Sequence, residues 1–215
     1  MDEKEKLSNR YFDQNINEII QNEEVLNLFK ESGALLKGHF LLTSGKHSDT
    51  YFEKIKLIEN PVVLDKIIDK LVFLIKSKNI DFDYIVSPAF GAIAIGFLTA
   101  LKLGKKFAFT QRENEVMVLR SGFNDIKEKN IVVIEDIVTT GGSILEVANC
   151  LKNYDVNILQ FFVLLDRSKE KIEIDGKIPV SLAKVSASLY EKESCPLCFQ
   201  NIPLIKPGAS NKYSK

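Results

Sequence analysis

The sequence is short of cysteine, proline, glycine and net charge. Its 215 residues include 3 Cys, 6 Pro, 11 Gly and no Trp. Three cysteines (Cys150, Cys195 and Cys198) are an odd number and too few for a disulfide framework, which favours a reducing compartment. Lys and Arg together number 29, the same as Asp and Glu. No overall field therefore draws the chain towards nucleic acid or anionic lipid.

Long apolar runs are also missing. No run approaches the roughly 18 residues that cross a bilayer, and the first ten residues, MDEKEKLSNR, are too charged for a secretion signal. We therefore expect a cytoplasmic protein that binds neither a membrane nor nucleic acid. Because 45% of the residues are hydrophobic, the chain can bury a substantial core, which suits one domain with at most a small appendage.

The first 60 residues predict a helix followed by extended segments. NEEVLNLFKESGALL, residues 22–36, has apolar residues at roughly helical spacing, and Gly33 lies near its end. GHFLLTSGKHSDTYFEKIKLI, residues 38–58, has short apolar and aromatic runs around the turn TSGKHSD. This second pattern is typical of strands joined by a turn.

From Pro61 onwards, helical segments alternate with short apolar strands. Helices are predicted from Pro61, over 92–103 and from about Ser143. The predicted strands cover residues 84–86, 107–110, 131–134 and 158–165. The alternation predicts an α/β fold with a parallel sheet covered by helices on both faces, and ligands of such sheets bind beyond the carboxyl ends of the strands. A strand-like segment follows Ile178, and the tail is predicted to be irregular and exposed.

The stretch IVVIEDIVTTGGSI, residues 131–144, carries the most specific chemistry. Glu135 and Asp136 follow a buried strand, and TTGGS, residues 139–143, then turns into a helix. The glycines let backbone N–H groups converge on an anion, which the helix start also favours. Carboxylates repel phosphate but accept hydrogen bonds from vicinal hydroxyls. The two parts together predict a receptor for a ribose 5-phosphate.

Other interpretations of this stretch are available. In the simplest one, the acids begin a solvated loop and TTGGS is an ordinary helix cap. A nucleoside triphosphatase is disfavoured because its phosphate loop needs GxxxxGK before Ser or Thr, and no lysine lies near TTGGSI. A dinucleotide-binding fold is disfavoured because no GxGxxG follows a strand.

An apolar run, Glu-Asp and then TTGGS is the signature of type I phosphoribosyltransferases, and the chain resembles them here. LLTSGKHSDTYF, QRENEVMVLRSGF, LLDRS and the tail CPLCFQNIPLIKPGAS make it similar to the orotate phosphoribosyltransferase family in particular. The resemblance runs from about Gly38 to Ser210. It implies a type I phosphoribosyltransferase-like parallel sheet flanked by helices, with a small hood formed by N- and C-terminal segments. The implied division is an N-terminal helix and hood over 1–60, the core over 61–175, and a C-terminal strand and tail over 176–215.

The resemblance assigns one group of residues to 5-phosphoribosyl 1-pyrophosphate. Glu135 and Asp136 would hold the ribose hydroxyls, in agreement with the chemistry argued above. The turn that would hold the 5-phosphate comprises Thr139, Thr140, Gly141, Gly142 and Ser143. The loop that would bind pyrophosphate through its backbone comprises Ala89, Phe90 and Gly91. Some relatives carry a lysine in this loop, where this chain has Gly91 near that place, so other groups must neutralise the charge.

A second group is assigned to orotate by the same resemblance. Arg167, in LLDRS, would contact orotate, because its fork of donors suits a planar carboxylate and carbonyl edge. Lys46 would contact an anion. Tyr51 and Phe52 would supply aromatic and backbone walls for the pyrimidine.

The implied catalytic residues are Asp136 and two arginines of the segment 111–123, Arg112 and Arg120. Many relatives have a mobile basic loop here, which closes over the pyrophosphate in the neighbouring subunit's site. This implies a homodimer with active sites completed by the partner's loop. The present version has neither Lys nor His between the two arginines, so no general acid is identified. Without the family context, the segment is interpreted as a solvated hairpin.

The implied reaction transfers ribose 5-phosphate from 5-phosphoribosyl 1-pyrophosphate to N1 of orotate, giving orotidine 5-monophosphate and pyrophosphate in pyrimidine biosynthesis. Mg²⁺ is the implied cofactor and would keep several waters, so a dedicated protein metal site is not required. Two alternatives stay open. One is a phosphoribosyltransferase for another base, such as a salvage purine, and the other is a sugar-phosphate sensor without catalysis.

The sequence CPLC contains C-x-x-C, which is half of a common zinc site. Only Cys150, His39 and His47 remain elsewhere as soft or nitrogen ligands. Because a second pair at finger-like spacing is missing, we favour reduced thiols and predict no metal ligand. His39 is interpreted as a structural histidine, whereas a substrate-side role stays open for His47.

Overall fold

Two β-sheets organise the chain in a computed structural model, which describes residues 22–42, 44–185 and 188–207. We call the six-stranded sheet the core sheet and the four-stranded sheet the hood sheet. The strands are β1 (Leu35–Leu41), β2 (His47–Phe52), β3 (Tyr84–Pro88), β4 (Lys106–Glu113), β5 (Val116–Leu119), β6 (Asn130–Val138), β7 (Asn157–Asp166), β8 (Val180–Lys184), β9 (Leu189–Tyr190) and β10 (Leu204–Ile205). The helices are α1 (22–31), α2 (Ile55–Glu59), α3 (Pro61–Ser77), α4 (Ile93–Leu103), α5 (Gly142–Lys152) and α6 (Pro196–Phe199).

The core sheet has the strand order β5-β4-β3-β6-β7-β8. Its strands are parallel except β5, which forms an antiparallel hairpin with β4. From β3 the chain continues to β4 on one side and then returns through β6 to the other side. The carboxyl ends of β3 and β6 are therefore neighbours at the point where the strand order reverses, which is where open α/β sheets form their binding crevice.

Alternate residues of β6 pack on opposite faces of the core sheet. Val132 and Ile134 belong to the hydrophobic cluster that includes the buried side of α3, whereas Ile131 and Val133 belong to the cluster that includes α5. All four side chains are at most 1% exposed. This two-residue period under helices on both faces is the α/β arrangement that the sequence predicts.

The hood sheet has the order β10-β1-β2-β9. Strands β1 and β2 form an antiparallel hairpin, β9 pairs antiparallel with β2, and β10 pairs parallel with β1. The hood is thus built from both ends of the chain, as the family resemblance implies. None of the helices in the described ranges is both long and apolar enough to cross a membrane.

Several predicted boundaries are wrong. The N-terminal helix does not continue through Leu35, because Gly33 adopts a left-handed φ of 75° and the chain enters β1. The core does not end at residue 175, since β8 pairs with β7 in the core sheet. Strand β6 continues past Ile134 to Val138 because β7 keeps pairing with it. The C-terminal tail, predicted to be irregular, contains α6 and β10.

Candidate active site

Glu135 and Asp136 lie near the end of β6 and are buried, with 5% and 3% exposure. Glu135 Oε1 accepts a hydrogen bond from the backbone N–H of Asp136 at 2.9 Å. Its Oε2 accepts one from Ser143 Oγ at 2.8 Å. The Glu135 carboxylate therefore faces the predicted phosphate turn, residues 139–143, as a shared sugar-phosphate site requires.

Asp136 is held by a cation that sequence reasoning missed. Its Oδ1 accepts hydrogen bonds from Lys54 Nζ at 2.7 Å and from the backbone N–H of Ile137 at 2.5 Å. The other oxygen, Oδ2, accepts no hydrogen bond from the described residues, which leaves it available to a ligand. The only sequence signal for Lys54 was its position two residues after the aromatic pair that ends β2.

Gly91 lies against both members of this ion pair. A Cβ built at Gly91 would collide with Asp136 Oδ2 and would lie 3.7 Å from Lys54 Cδ. Glycine is therefore required where the loop after β3 approaches the acid pair. The loop predicted to bind pyrophosphate, the acid pair and the end of β2 meet at this point.

The amides of the predicted pyrophosphate loop are not equivalent. The N–H of Ala89 donates to the carbonyl of Thr110 at 2.6 Å, so it is already used within the fold. The N–H groups of Phe90 and Gly91 donate to no acceptor in the part of the chain that the structure describes. Phe90 is 84% exposed. An anion at this loop would therefore be bound by the amides after Ala89.

The phosphate turn leads into α5 with its amides free. Across the described ranges, the N–H groups of residues 139–142 find no backbone or side-chain acceptor. Gly141 has a left-handed φ of 82°. The first amides of a helix lack intrahelical partners and carry partial positive charge. The turn is therefore a preformed anion site beside Glu135.

Replacing Gly141 with alanine should destabilise this turn. A Cβ there would approach Ile172 Cγ2 to 2.8 Å and would also be strained at the positive φ. We expect the free energy of unfolding in urea to fall by about 2–4 kcal/mol. Gly142→Ala is the matched control, since its Cβ would meet Thr140 Oγ1 at an ordinary 3.8 Å. Equal unfolding free energies for the two variants would contradict this account of the turn.

Burial raises the pKa of Glu135 to about 7, and the negative charge of Asp136 adds to the rise. Hydrogen bonds from the Asp136 N–H and the Ser143 hydroxyl act in the opposite direction but are weaker influences. The ordinary pKa of the group is 4.5. Ionisation of the buried Glu135 beside Asp136 thus opposes folding, which is typical of a site built for a ligand.

This raised pKa predicts a pH-dependent stability. Below pH 4.5 the Glu135 carboxyl is protonated in both states; between that pH and about 7 it ionises in the unfolded chain only. The free energy of unfolding should therefore fall by about 3 kcal/mol as pH rises through this window. Glu135→Gln should lack this component in urea titrations at about pH 5 and about pH 8. The exposed Glu128→Gln variant is the control, and a Glu135→Gln profile parallel to the wild type would rule out the effect.

Arg167 leaves the end of β7 and lies over the ring of Phe52, with 4.9 Å from its Cζ to the ring centroid. Its Nε is buried and has no hydrogen-bond partner among the described residues. Desolvation lowers the pKa of the guanidinium, and the charge of Asp49 partly offsets this. A buried unpaired donor is costly unless a ligand supplies the acceptor. Arg167 therefore marks a site for an anionic or carbonyl-bearing group.

The two aromatic residues that end β2 point to opposite faces of the hood sheet. Phe52 is buried beneath Arg167, whereas the ring of Tyr51 packs on Phe40 at a centroid distance of 5.6 Å. Consecutive strand residues alternate in this way. The structure thus places Phe52 beside Arg167, and the roles of Phe52 and Tyr51 as walls for the base stay predictions.

The remaining predicted cations form ion pairs of their own. Lys46 Nζ donates to Glu191 Oε1 at 2.5 Å. Arg112 reaches Glu146 Oε2 through Nη2 at 2.8 Å. Arg120 lies 3.6 Å from a carboxylate of its own hairpin. The segment 111–123 contains the β4–β5 turn, strand β5 and the residues after it. In this conformation it is a hairpin, as the interpretation without the family context predicts.

Residues 56–191 match the phosphoribosyl transferase domain family. An orotate phosphoribosyltransferase of Thermoanaerobacter sp. (strain X514) is 40% identical over 190 residues, covering 88% of this chain and 98% of that relative. The chain belongs to the orotate phosphoribosyltransferase family.

Solved structures agree on the fold of this orotate phosphoribosyltransferase family member. The orotate phosphoribosyltransferase of Aeropyrum pernix is 24% identical with a TM-score of 0.59, covering 74% of this chain and 92% of that one. An adenine phosphoribosyltransferase is 17% identical with a TM-score of 0.56, covering 72% and 98%. Since relatives named for different bases superpose about equally well, the fold alone does not select the base.

Proposed function

We propose that this chain transfers the 5-phosphoribosyl group of 5-phosphoribosyl 1-pyrophosphate to N1 of orotate, giving orotidine 5-monophosphate and pyrophosphate. One observation carries the proposal. The buried acid pair lies beside the free amides of the phosphate turn, and the end of β2 links Asp136, through Lys54, to the Phe52–Arg167 stack. A sugar-phosphate site and a site for an anionic planar base therefore adjoin one another.

The acid pair and the turn fix the ribose phosphate. The amides of residues 139–142 and the hydroxyls of Thr139 and Thr140 bind the 5-phosphate, while Asp136 Oδ2 accepts a hydrogen bond from a ribose hydroxyl. Cleavage of the anomeric C–O bond builds positive charge on the ribose. The negative charge of Asp136, which pairs with Lys54, stabilises that charge, and the turn holds the sugar so that C1 faces the base.

Arg167 and Phe52 hold the base. The free Nε–H and the remaining guanidinium donors match the carboxylate and carbonyl edge of orotate, and the Phe52 ring supports the guanidinium from below. This contact selects an anionic pyrimidine over a neutral purine, because only the anion satisfies the desolvated cation. Orotate N1 is then oriented towards C1 of the sugar, as bond formation requires.

Pyrophosphate leaves at the loop after β3, where the amides of Phe90 and Gly91 are free. Lys54 lies next to Gly91 and supplies positive charge there, and Arg112 and Arg120 add charge if the hairpin closes over the site. The Asp136 carboxylate would be the protein group that supports Mg²⁺ at this site, since Mg²⁺ prefers oxygen ligands. Mg²⁺ would supply positive charge there and neutralise the negative charge of the leaving pyrophosphate.

The direct test is a pyrophosphate-release assay with purified protein, 5-phosphoribosyl 1-pyrophosphate and one base at a time. We expect release with orotate, dependence on Mg²⁺, and no release above background with adenine, hypoxanthine or uracil. Release with adenine instead of orotate would replace this proposal with purine salvage. Binding of the sugar phosphate without release with any base would indicate a sensor.

A homodimer with shared sites also belongs to this proposal, as does a cytoplasmic location, which stays a prediction from composition. Several apolar side chains of the neighbouring helices α3 and α4 are more than half exposed, which suits a subunit interface. They are Val62, Phe73, Phe97 and Leu101. Sedimentation velocity tests the dimer.

Mixing inactive chains tests whether the partner's hairpin completes each site. One chain carries Asp136→Asn and the other carries Arg112→Ala with Arg120→Ala. A shared site restores roughly a quarter of wild-type activity, because half of the dimers are mixed and each mixed dimer keeps one intact site. No restoration would place the arginines in their own subunit's site.

A further inference from the structure

Four potential metal ligands meet in the hood, away from the acid pair. His39, His47, Cys195 and Cys198 each offer one ligand atom, and these atoms all lie within 4.8 Å of one another. The two histidines and Cys195 are at most 2% exposed. The cluster joins residues 156 positions apart, so it connects the β1–β2 hairpin to the C-terminal segment.

Local structure explains why each pair shares a face. His39 on β1 and His47 on β2 are diagonal neighbours across the hairpin, because Leu41 is the direct partner of His47. Cys195 precedes α6 and Cys198 lies within it, three positions on, which places both thiols on one side of the turn. The second ligand pair that a zinc finger takes from a helix is supplied here by a hairpin.

Hydrogen bonding alone does not satisfy this cluster. His39 Nδ1 lies 2.8 Å from the carbonyl of Ile202 and must donate to it, so Nε2 carries a lone pair. Three possible donors surround that one lone pair. They are His47 Nδ1 at 2.8 Å, Cys195 Sγ at 3.5 Å and Cys198 Sγ at 3.7 Å. One cation at the centre would instead accept a lone pair from every ligand.

The spacing also matches a tetrahedral ion. Zinc bonds of about 2.3 Å to sulfur and about 2.0 Å to nitrogen give nitrogen–sulfur edges of about 3.5 Å. Three of the observed nitrogen–sulfur distances are 3.4, 3.5 and 3.7 Å, and all separations in the cluster are within 4.8 Å, so the longer ones have to shorten around an ion. The two imidazole nitrogens have to separate by about 0.5 Å from their hydrogen-bonded distance. The Nδ1–H bond from His39 to a backbone carbonyl is the outer contact that metal-bound histidines usually make.

The C-terminal segment has few other means of attachment. Helix α6 has four residues and none of them is buried. Strand β10 has two residues, both exposed, and pairs with β1 at only two positions. Elements this short and this exposed are not stable on their own. Cys195, which precedes α6, is fully buried.

We propose that His39, His47, Cys195 and Cys198 bind one zinc ion that fastens the C-terminal segment to the hood. The two nitrogens and two sulfurs complete a four-coordinate site, so the ion has no open position for substrate and serves structure rather than catalysis. This differs from the sequence-based expectation of free thiols, which rested on the missing finger-like spacing. The zinc site does not depend on the proposed reaction.

Metal analysis of the untagged, full-length chain tests the proposal. Purified without chelators, the wild type should contain about one zinc ion per chain. Cys198→Ser should lower the zinc content roughly tenfold or more, whereas Cys150→Ser, which changes the remaining cysteine on α5, should keep it. A wild type that retains no zinc after incubation with zinc and gel filtration would overturn the proposal. So would equal zinc loss from both variants.

A second measurement needs no variant. Stripped wild-type protein should bind Co²⁺ with thiolate-to-cobalt charge-transfer bands in the near ultraviolet and the intense visible bands of tetrahedral cobalt. Stripping should lower Tm by on the order of 10 °C and speed tryptic cleavage after Lys192, which lies in the C-terminal segment, roughly tenfold or more. Weak octahedral cobalt bands, or cleavage rates unchanged by stripping, would show that these residues do not form the site.

Discussion

Replacing Arg167 with alanine is expected to lower kcat/KM for orotate by about 100- to 1,000-fold. The guanidinium is desolvated over Phe52, and its Nε has no partner among the described residues. Its interaction with an anionic base is therefore made in a dry setting, where charge-assisted hydrogen bonds are strong. Initial rates of pyrophosphate release at varied orotate measure the loss, while KM for 5-phosphoribosyl 1-pyrophosphate should change little.

Two further variants serve as controls for the Arg167→Ala experiment. Lys171→Ala removes an exposed cation that follows four positions later and should leave the kinetics unchanged. Arg167→Lys should recover little activity, because an ammonium does not reproduce a planar fork of donors. Full activity in Arg167→Ala, or full rescue by lysine, would remove Arg167 from the base-binding site.

Asp136→Asn should lower kcat/KM for 5-phosphoribosyl 1-pyrophosphate by about 100- to 1,000-fold. The amide keeps the shape of the carboxylate but loses the negative charge that pairs with Lys54 and faces the developing charge on the ribose. Since Asp136 is 3% exposed and adjoins the buried Glu135, removing its charge also relieves a like-charge contact. We therefore expect stability equal to or above that of the wild type.

The separation between lost activity and retained stability is the informative result for Asp136. Stopped assays with varied 5-phosphoribosyl 1-pyrophosphate give the first quantity and urea denaturation gives the second. Asp125→Asn, at a side chain that is 78% exposed, controls for removal of one negative charge. Wild-type kinetics in Asp136→Asn would remove the acid pair from the reaction.

Sequence patterns predicted the core sheet because each of its inner strands is a local apolar run between helical segments. Glu135 and Ser143, the last residue of the phosphate turn, are eight residues apart, so their contact also followed from local chain geometry. The close approach of Gly91 to Asp136 could not be predicted from local patterns. It depends on the strand order, which places β3 beside β6.

Contacts between the hood and the core could not be predicted from one sequence. Lys54 and Asp136 are 82 positions apart, and no periodic pattern indicates their ion pair. The histidines and cysteines of the hood are separated still further, and their spacing along the chain resembles no common metal motif. Lys54 and Asp136 come from the hood and the core, whereas the histidines and cysteines come from opposite ends of the chain within the hood. In both cases the relative placement of the partners is set by packing of the whole fold.

The use of both chain ends in the hood sheet has a consequence for biosynthesis. Among the strands that the structure describes, those of the core sheet are all complete by Lys184, whereas β9 and β10 of the hood follow it. During translation, the whole core sheet, together with the acid pair and the phosphate turn, is therefore synthesised before the strands that complete the hood sheet. Phe52 and Arg167, the residues of the proposed base site, lie in that earlier part, so synthesis of the later residues completes the hood sheet and not the base site.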